Sequence, residues 1–403
     1  MARLPIHAAA ATHVMIDGQE LLAFAGCNYL GLAQHAKVRE AVVRGMEDFG
    51  LSTSASRETT GNTSEHESLE TELAAFVGGV HDDADPRATP ATATRAILTP
   101  EGYTANLAMA QGLAALGVRT AIIDEKSHTS VGHAAASAGM RVETCAHLSA
   151  LDARRRIERA LASGAAPESL AIMTDGVFAA DGAIAPVAAL AGALPKGATL
   201  VVDDCHGFCV LGPHGRGTCA AAGLPAPGTR DLATELVITT TLGKGLGCYG
   251  GSVIGSSRVF DAVRRSASVY RGTTPVPPPI ARAARTAISM IRRDDSLVAS
   301  LRANTSRLRD RIRSVLRSDD AHDSPVSPSA PIFTFMLPTH DAPDAALMER
   351  VHRRLLARGI LAPLIEYPGG PGSRYFRLTL SALHTPTHID RLADELHQAL
   401  LGT

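Results

Sequence analysis

Two stretches of this chain decide its fold: residues 199–207 (TLVVDDCHG) and residues 236–247 (LVITTTLGKGLG). Each begins with an apolar run that predicts a short buried strand, and each continues into polar or glycine residues. The first strand ends at Asp203, and the second ends shortly before Lys244. Both motifs therefore deliver a charged side chain beyond the carboxyl end of a strand, which is where open α/β sheets bind their ligands.

The middle of the chain alternates between strand-like and helix-like runs. This alternation predicts an α/β fold with a mostly parallel sheet covered by helices on both faces. Helices are predicted at 131–140 and 186–194. The predicted strands are 121–124, 141–145, 170–174, 199–203, 236–240 and 252–255.

A proline-rich run at 275–279 (PVPPP) predicts a change of domain. We expect an N-terminal segment 1–45 that packs with a small domain, a large domain 46–275 and a small α+β domain 276–403. The small domain is predicted to contain a long helix 280–316, strand 332–337, helix 344–358, strand 375–381 and helix 386–401. The polar, proline-containing segments 81–94 and 318–331 are predicted to be loops.

The composition argues against several classes of protein. Lysine plus arginine number 39 and aspartate plus glutamate number 40, so no broad charge favours nucleic acid or an anionic membrane. The six cysteines lack paired zinc-type spacing, so no metal site is expected and free thiols are predicted. No apolar stretch has the length of a membrane span, and the first residues lack a signal-peptide core. The sequence therefore predicts a cytoplasmic protein.

Lys244 and Asp203 together suggest a cofactor. A lysine amine between two glycines can condense with an aldehyde, and a buried aspartate can hold a pyridine nitrogen protonated. These are the two groups that pyridoxal 5'-phosphate requires from a protein. The alternatives are a lysine in a surface turn and an aspartate that caps a helix or forms a structural ion pair.

Other side chains are candidates for the same site. His206 could reach the phenolic oxygen of the cofactor, and His128 could stack on its ring; either histidine could instead be structural. Gly102 and Tyr103 open a helix-like stretch whose free N–H groups could bind phosphate, as could the hydroxyl of Thr241. Arg377 lies within an apolar strand, where it could hold a substrate carboxylate or pair with a neighbouring acid.

These motifs, in their order and spacing, resemble the α-oxoamine synthase family of fold-type I pyridoxal-phosphate enzymes. The resemblance covers about residues 20 to 400. The motifs that carry it are 28–32 (NYLGL), Ser56-Arg57, Gly61, His66, Leu69-Glu70, Gly102-Tyr103 with Asn106, Ser127-His128, 175–178 (DGVF) with Asp181-Gly182, 203–207 (DDCHG), 215–217 (GRG), Lys244, Thr273-Thr274 and 377–379 (RLT).

The resemblance implies a fold-type I transferase with a seven-stranded, mostly parallel sheet. It also implies a role for each matching residue: Lys244 binds the cofactor covalently and moves protons, Asp203 pairs with the pyridine, His206 with the phenolate, and His128 stacks on the ring. Phosphate contacts are implied for Gly102, Tyr103, Thr241 and, from the other subunit of a homodimer with shared sites, Thr273 and Thr274. Substrate contacts are implied for Arg377, Asn28 and Ser56.

The chain also departs from the family pattern. Ala179 replaces the usual serine after the Val-Phe pair, so the contribution of that hydroxyl is absent or moved. Cys205 stands where alanine or valine is usual, residues 52–56 (STSAS) replace a glycine-rich stretch, and the 81–94 loop is an insertion. We infer a specialised member of the family.

The resemblance implies a decarboxylative condensation of an α-amino acid with an acyl thioester, carried by CoA or by an acyl carrier protein. Its products are an α-amino ketone, CO2 and a free thiol. Other possibilities are a non-decarboxylating C-acyltransferase, an aminotransferase or a lyase of the same fold. A partner subunit without cofactor is a further alternative, which Lys244 disfavours.

Overall fold

The computed structural model describes residues 5–79, 94–229, 233–316, 330–337 and 345–401. The predicted loops at 81–94 and 318–331 lie outside the described residues except for Thr94, Ala330 and Pro331. Within the described segments, no helix combines the length and the apolar character needed to cross a bilayer.

The strands are, in chain order, β1 (Ala8–Ala9), β2 (His13–Ile16), β3 (Gln19–Ala23), β4 (Thr94–Thr99), β5 (Thr120–Asp124), β6 (Arg141–Cys145), β7 (Leu170–Asp175), β8 (Thr199–Asp203), β9 (Glu235–Thr241), β10 (Gly251–Ser256), β11 (Ile332–Phe335), β12 (Ile360–Leu361), β13 (Leu364–Ile365) and β14 (Tyr375–Thr379).

The α-helices are α1 (Ala36–Phe49), α2 (Ser64–Gly78), α3 (Gly102–Ala115), α4 (Thr129–Ser137), α5 (Ala150–Ala162), α6 (Val187–Ala193), α7 (Thr218–Ala221), α8 (Ser257–Ser266), α9 (Ser268–Gly272), α10 (Pro278–Arg293), α11 (Ser296–Leu316), α12 (Ala345–Ala357) and α13 (Pro386–Leu401). The predicted bounds of the strands at 141–145 and 199–203 and of the helix at 386–401 are confirmed.

The chain forms two compact units. The small unit contains the described residues of Met1–Gln34, Ala179–Ala183 and Ser296–Thr403, and the large unit those of His35–Phe178 and Ile184–Asp295. The boundaries between the units follow Gln34 and Asp295, whereas the sequence predicted them after residues 45 and 275. The reason is helix packing: α1 lies against α10 through Gly45 and Pro279, so both helices belong to the large unit.

The large unit is built on a seven-stranded sheet with the order β4-β10-β9-β8-β7-β5-β6. The five strands from β9 to β6 are parallel, and β10 runs antiparallel to both of its neighbours. The predicted fold class is therefore confirmed. Strand β4 was not predicted. Thr94, which was assigned from the sequence to the preceding loop, is the first residue of this mostly buried strand.

Helix α3 is buried along most of its length and packs against β9 and β10. Helix α3 also packs closely on α8, where a Cβ at Gly112 would lie 2.6 Å from the Val263 side chain. Because α3 packs on the strands that precede and follow Lys244, its first turn is held beside their loop-bearing ends.

The predicted single helix 280–316 is wrong, since α10 ends at Arg293 and α11 begins at Ser296. Asp294 adopts an extended backbone with φ −150° and ψ 110°. Acidic residues at a helix carboxyl end oppose the helix dipole, whereas aspartate and serine favour a helix start. The Asp294-Asp295-Ser296 sequence therefore ends one helix and begins another, although the apolar periodicity continues.

Within its described residues, the small unit contains two sheets and three α-helices. One sheet has the order β1-β2-β3-β12, in which β12 pairs in parallel with β3. The other has the order β11-β14-β13, and all of its pairs are antiparallel. Helices α11 and α13 pack against each other, and α12 packs on α13.

We predict opposite effects of alanine at two helical glycines. A Cβ at Gly45 would lie 2.5 Å from the Pro279 Cα, so Gly45→Ala must displace α10 and destabilise the protein. Gly132 in α4 has no atom within 4 Å of that position, so Gly132→Ala should stabilise by about 0.5–1 kcal/mol through helix propensity alone. Urea denaturation of both variants measures the two effects, and a stabilised Gly45→Ala protein would contradict the packing of α1 on α10.

Candidate active site

Lys244 lies in the loop between β9 and β10. Its side chain is half-buried, and its Nζ is 2.8 Å from the Nε2 of His206, a buried residue that follows β8. The neighbouring Gly245 explains this proximity, since a Cβ there would lie 2.6 Å from the carbonyl oxygen of Phe208. Only a glycine lets the lysine loop approach the segment after β8 so closely.

Asp203 is buried at the end of β8 and is held by uncharged donors. Its Oδ2 accepts a hydrogen bond of 2.7 Å from the Asn106 side-chain amide, and its Oδ1 accepts one of 3.1 Å from the Cys205 backbone N–H. Asn106 also donates to Ser130 Oγ at 2.9 Å and accepts from Thr239 Oγ1 at 2.6 Å. The amide thus connects α3 with the ends of two strands and fixes the carboxylate between them.

A second buried carboxyl group lies beside Asp203. Asp175 at the end of β7 is in register with Asp203, so the two side chains lie at the same level on neighbouring strands. Its Oδ1 accepts a 2.9 Å hydrogen bond from the backbone N–H of His128. Burial, and then the negative charge of Asp203, hold the pKa of Asp175 well above its usual range. Burial and this neighbour therefore disfavour a negative charge on Asp175.

His128 lies at the start of α4, close to the same charged groups. Its Nδ1 is 2.7 Å from Ser130 Oγ. Burial lowers the pKa of His128, the charge of Asp203 acts in the opposite sense, and the charge of Lys244 lowers it further. A neutral imidazole beside these groups is suited to stacking on a flat ring.

The first turn of α3 approaches the lysine loop. A Cβ at Gly102 would lie 3.1 Å from Cys205 Sγ and 3.2 Å from Thr241 Cβ, so the helix start and these two residues are in close contact. The two N–H groups after Gly102 have partners within the chain: Tyr103 N–H donates to Glu101 Oε2 at 2.8 Å, and Thr104 N–H donates to Oε1 at 2.7 Å. Thr241 Oγ1 likewise donates to the Gly250 carbonyl at 3.1 Å. The phosphate contacts of Gly102, Tyr103 and Thr241 stay predictions.

Ser56, Thr273 and Thr274 belong to a different part of the large unit. Ser56 Oγ donates to the Arg271 carbonyl at 3.2 Å, and Thr273 Oγ1 donates to the Val269 carbonyl at 2.7 Å. Thr274 is exposed. The fold thus brings Ser56 to the segment that carries both threonines, and their predicted contacts with substrate and with a second subunit remain untested.

Arg377 and Asn28 lie in the small unit. Arg377 is in the middle of β14, and its Nε donates to the Ala179 carbonyl at 2.7 Å. Asn28 is occupied within its own segment: its Nδ2 donates to Gln34 Oε1 at 2.7 Å, and its Oδ1 accepts from the Ala33 N–H at 3.3 Å. The substrate contacts of both residues stay predictions.

Asp204, which directly follows Asp203, was not assigned a role from the sequence. Its carboxyl group is buried and accepts from the Thr218 N–H at 2.8 Å and from Thr218 Oγ1 at 2.5 Å. Three glycines surround it, because a Cβ at Gly176, Gly207 or Gly217 would lie within 2.4 Å of its oxygens. Burial raises the pKa of Asp204 to about 7.

Sequence reasoning also missed the structural part played by Asn106, Asp175 and Glu101. The first two carried a signal: a polar residue among the alanines of α3, and an acid that ends a predicted strand. Glu101 caps the start of α3, and its sequence signal was weaker because serine, threonine, aspartate and asparagine are the usual helix caps.

Comparison with known proteins places this arrangement in a family. The family model for aminotransferase class I and II matches residues 19–396. The chain is 36% identical over 391 residues to the 8-amino-7-oxononanoate synthase of Methylococcus capsulatus, covering 96% of this chain and 92% of that protein. It is also 36% identical over 388 residues to the enzyme of the same name from Burkholderia mallei, covering 95% and 90%.

Solved structures share the fold at lower identity. The serine palmitoyltransferase of Sphingomonas wittichii matches with a TM-score of 0.84 and 23% identity, over 99% of this chain and 92% of that one. The 8-amino-7-oxononanoate synthase of Francisella tularensis matches with a TM-score of 0.73 and 22% identity, over 95% and 98%.

The chain therefore belongs to the aminotransferase class I and II family and, within it, to the α-oxoamine synthases. The predicted classification as a PLP-dependent acyltransferase and the predicted cofactor, pyridoxal 5'-phosphate, are both confirmed. The residues present fit the cofactor. Asp203 is a buried carboxylate whose hydrogen-bond donors, Asn106 and the Cys205 N–H, are uncharged, so a protonated ring nitrogen would supply the missing positive charge.

Asp204 should make the stability of the protein fall as the pH rises from about 4 to about 7. Its pKa of about 7 lies above the ordinary value of 3.8, so between these two values the folded state binds a proton that the unfolded state has released. The stabilisation is complete below the unfolded pKa and is lost by the time the pH has passed through the folded pKa, with a slope of up to about 1.4 kcal/mol per pH unit. Asp204→Asn has no acidic proton and keeps an amide oxygen that can accept from Thr218, so it should reduce the slope of this dependence in urea denaturation.

Asp152→Asn is the matched control for this measurement. Asp152 is half-buried and has a lowered pKa, chiefly because it accepts from the Ala146 N–H, so its contribution is lost only below pH 4. An Asp204→Asn protein with the pH dependence of the unaltered protein would show that another group is responsible.

Proposed function

We propose that this enzyme condenses an α-amino acid with an acyl thioester. The α-carbon of the amino acid attacks the thioester carbonyl, and the thiol of CoA or of an acyl carrier protein leaves. Loss of CO2 and return of a proton to the α-carbon then give an α-amino ketone. The 36% identity to proteins named 8-amino-7-oxononanoate synthase, over nearly the whole chain, supports this reaction.

The observation that carries the proposal is the group formed by Lys244, His206 and Asp203. A lysine amine 2.8 Å from an imidazole can exchange protons with it, while a carboxylate held at a fixed position lies at the end of β8, the strand beside β9. An amine that both binds an aldehyde and moves a proton, with an acid for a pyridine nitrogen, is the minimum that this chemistry needs.

Bound PLP supplies an electron-withdrawing ring that acidifies the Cα–H of the amino acid. Lys244 removes this proton and later returns it, and His206 beside its Nζ receives or supplies the proton in transit. Asp203 would keep the ring nitrogen protonated through a charge-assisted hydrogen bond, and Asn106 holds the carboxylate in place for it. His128 would stack on the ring.

The amino acid is held by Arg377, whose planar guanidinium matches a carboxylate in two parallel hydrogen bonds. The usual serine hydroxyl is absent at Ala179, so any contact that this position makes with the thioester comes from the backbone. We further propose a homodimer in which Thr273 and Thr274 contact the phosphate bound by the partner subunit, and a cytoplasmic location. The exposure of Thr274 supports the proposed contact with a partner subunit.

Lys244→Ala should abolish both turnover and the visible absorbance of the bound cofactor, because no other amine replaces the covalent bond. Purified protein is examined by absorption spectroscopy and by release of free thiol. Lys196→Ala is the control, since Lys196 is exposed and distant in sequence from the site. An active Lys244→Ala protein with the cofactor absorbance retained would refute the assignment.

A panel of amino acids and acyl thioesters, on CoA and on an acyl carrier protein, tests the reaction itself. We expect mass spectrometry to detect an α-amino ketone, with one CO2 and one free thiol released per product. An α-keto acid with no thiol release would indicate an aminotransferase. A product that keeps the carboxylate would indicate the non-decarboxylating reaction.

A further inference from the structure

We infer that Tyr29 is a positioning residue: its hydroxyl and the carbonyl of Ala179 together orient the guanidinium of Arg377 toward the carboxylate of the amino acid. This inference rests on the proposed function, in which Arg377 holds that carboxylate. It assigns the Asn28–Leu32 motif a role through Tyr29.

Tyr29 is completely buried, with 0% of its surface exposed. Its hydroxyl hydrogen-bonds to Arg377 and to Cys27. A guanidinium can only donate, so the Tyr29 oxygen accepts from Arg377, and the Tyr29 O–H is free to donate to the Cys27 sulfur. The three side chains therefore form one directed chain of hydrogen bonds.

Hydrogen bonds hold both the backbone and the side chain of Arg377. Its backbone pairs with Thr334 in β11, and its N–H donates to the Pro363 carbonyl at 3.0 Å. Its Nε donates to the Ala179 carbonyl at 2.7 Å. With the Nε bound and one further donor directed at Tyr29, the rotation of the guanidinium plane is restrained, and donors remain for a ligand.

The two groups that orient the Arg377 guanidinium, the Ala179 carbonyl and the Tyr29 hydroxyl, are uncharged. They therefore orient the guanidinium without neutralising it. A carboxylate partner would orient Arg377 but would also neutralise it, whereas a carbonyl and a hydroxyl orient it and leave its charge for the substrate. Burial raises the pKa of Tyr29 far above its ordinary value, so the hydroxyl stays neutral throughout the working pH range.

Asn28, which precedes Tyr29, is arranged differently. Its amide binds Gln34 and the Ala33 N–H within the same segment. Of these two neighbours, Tyr29 is therefore the one that contacts Arg377. Because a buried aromatic residue is ordinarily assigned to the core, the sequence does not distinguish this hydroxyl from a packing residue.

The test compares ligands with and without a carboxylate. Glycine, L-alanine and L-serine are titrated into Tyr29→Phe holoenzyme, and binding is followed at equilibrium by the absorbance of the cofactor. Methylamine, ethylamine and ethanolamine are the corresponding probes without a carboxylate. We expect the dissociation constants of the amino acids to rise about tenfold, because a hydrogen bond to a charged group is lost, and those of the amines to stay unchanged.

Tyr375→Phe is the matched control. Tyr375 is also fully buried and lies two residues from Arg377, but its hydroxyl donates to the Tyr367 carbonyl at 3.4 Å. Its removal should leave the amino-acid constants unchanged. Thermal denaturation of both variants verifies the fold. If Tyr29→Phe does not fold, Cys27→Ala replaces it: the ring stays, the acceptor of its O–H is lost, and a smaller loss of affinity for amino acids alone is expected.

Unchanged amino-acid affinity in the folded Tyr29→Phe protein overturns the inference, and so does an equal loss of affinity for amines and amino acids. Failure of the proposed function is distinguishable, because Arg377→Ala would then bind amino acids as tightly as the unaltered enzyme. If Arg377→Ala loses affinity for amino acids and Tyr29→Phe does not, the proposed function stands and only the positioning role of Tyr29 is refuted.

Discussion

The side-chain amide of Asn106 is the interaction on which the arrangement of the large unit depends. It lies in the second turn of a buried helix and bonds to Asp203, Thr239 and Ser130. An amide is neutral, so it satisfies the hydrogen-bonding capacity of the carboxylate without cancelling its charge. The helix, two strand ends and an anion are therefore held together in a form that attracts a cation.

The carboxyl groups near this point differ in their charge for physical reasons that the fold imposes. Asp203 accepts a hydrogen bond from the side-chain amide of Asn106. Asp175 lies next to Asp203 on the neighbouring strand. Asp204 is enclosed by glycines and accepts hydrogen bonds from Thr218. Burial raises the pKa of Asp175 and of Asp204, and at Asp175 the neighbouring Asp203 acts in the same direction. The sheet register thus disfavours a negative charge on the two carboxyl groups that flank Asp203.

The sequence predicted that the strand ends bearing Asp203, His206 and Lys244 come together because of a simple geometric rule. Parallel strands end at one edge of the sheet, so Asp203, His206 and Lys244 had to converge once their strands were recognised. The amide of Asn106 and the carboxylate of Glu101 act through contacts between a helix and distant segments, which no local pattern reveals. The helix break at Asp294 was missed because apolar periodicity persists across it, and strands of two residues such as β12 depend entirely on their partner.

The contact between Arg377 and Ala179 is made by the main chain at position 179. A carbonyl oxygen is present whatever side chain the codon specifies, so replacement of the family's serine by alanine leaves this anchor intact. Side-chain variation at position 179 therefore leaves this hydrogen bond, and the orientation that it gives to the guanidinium, unchanged.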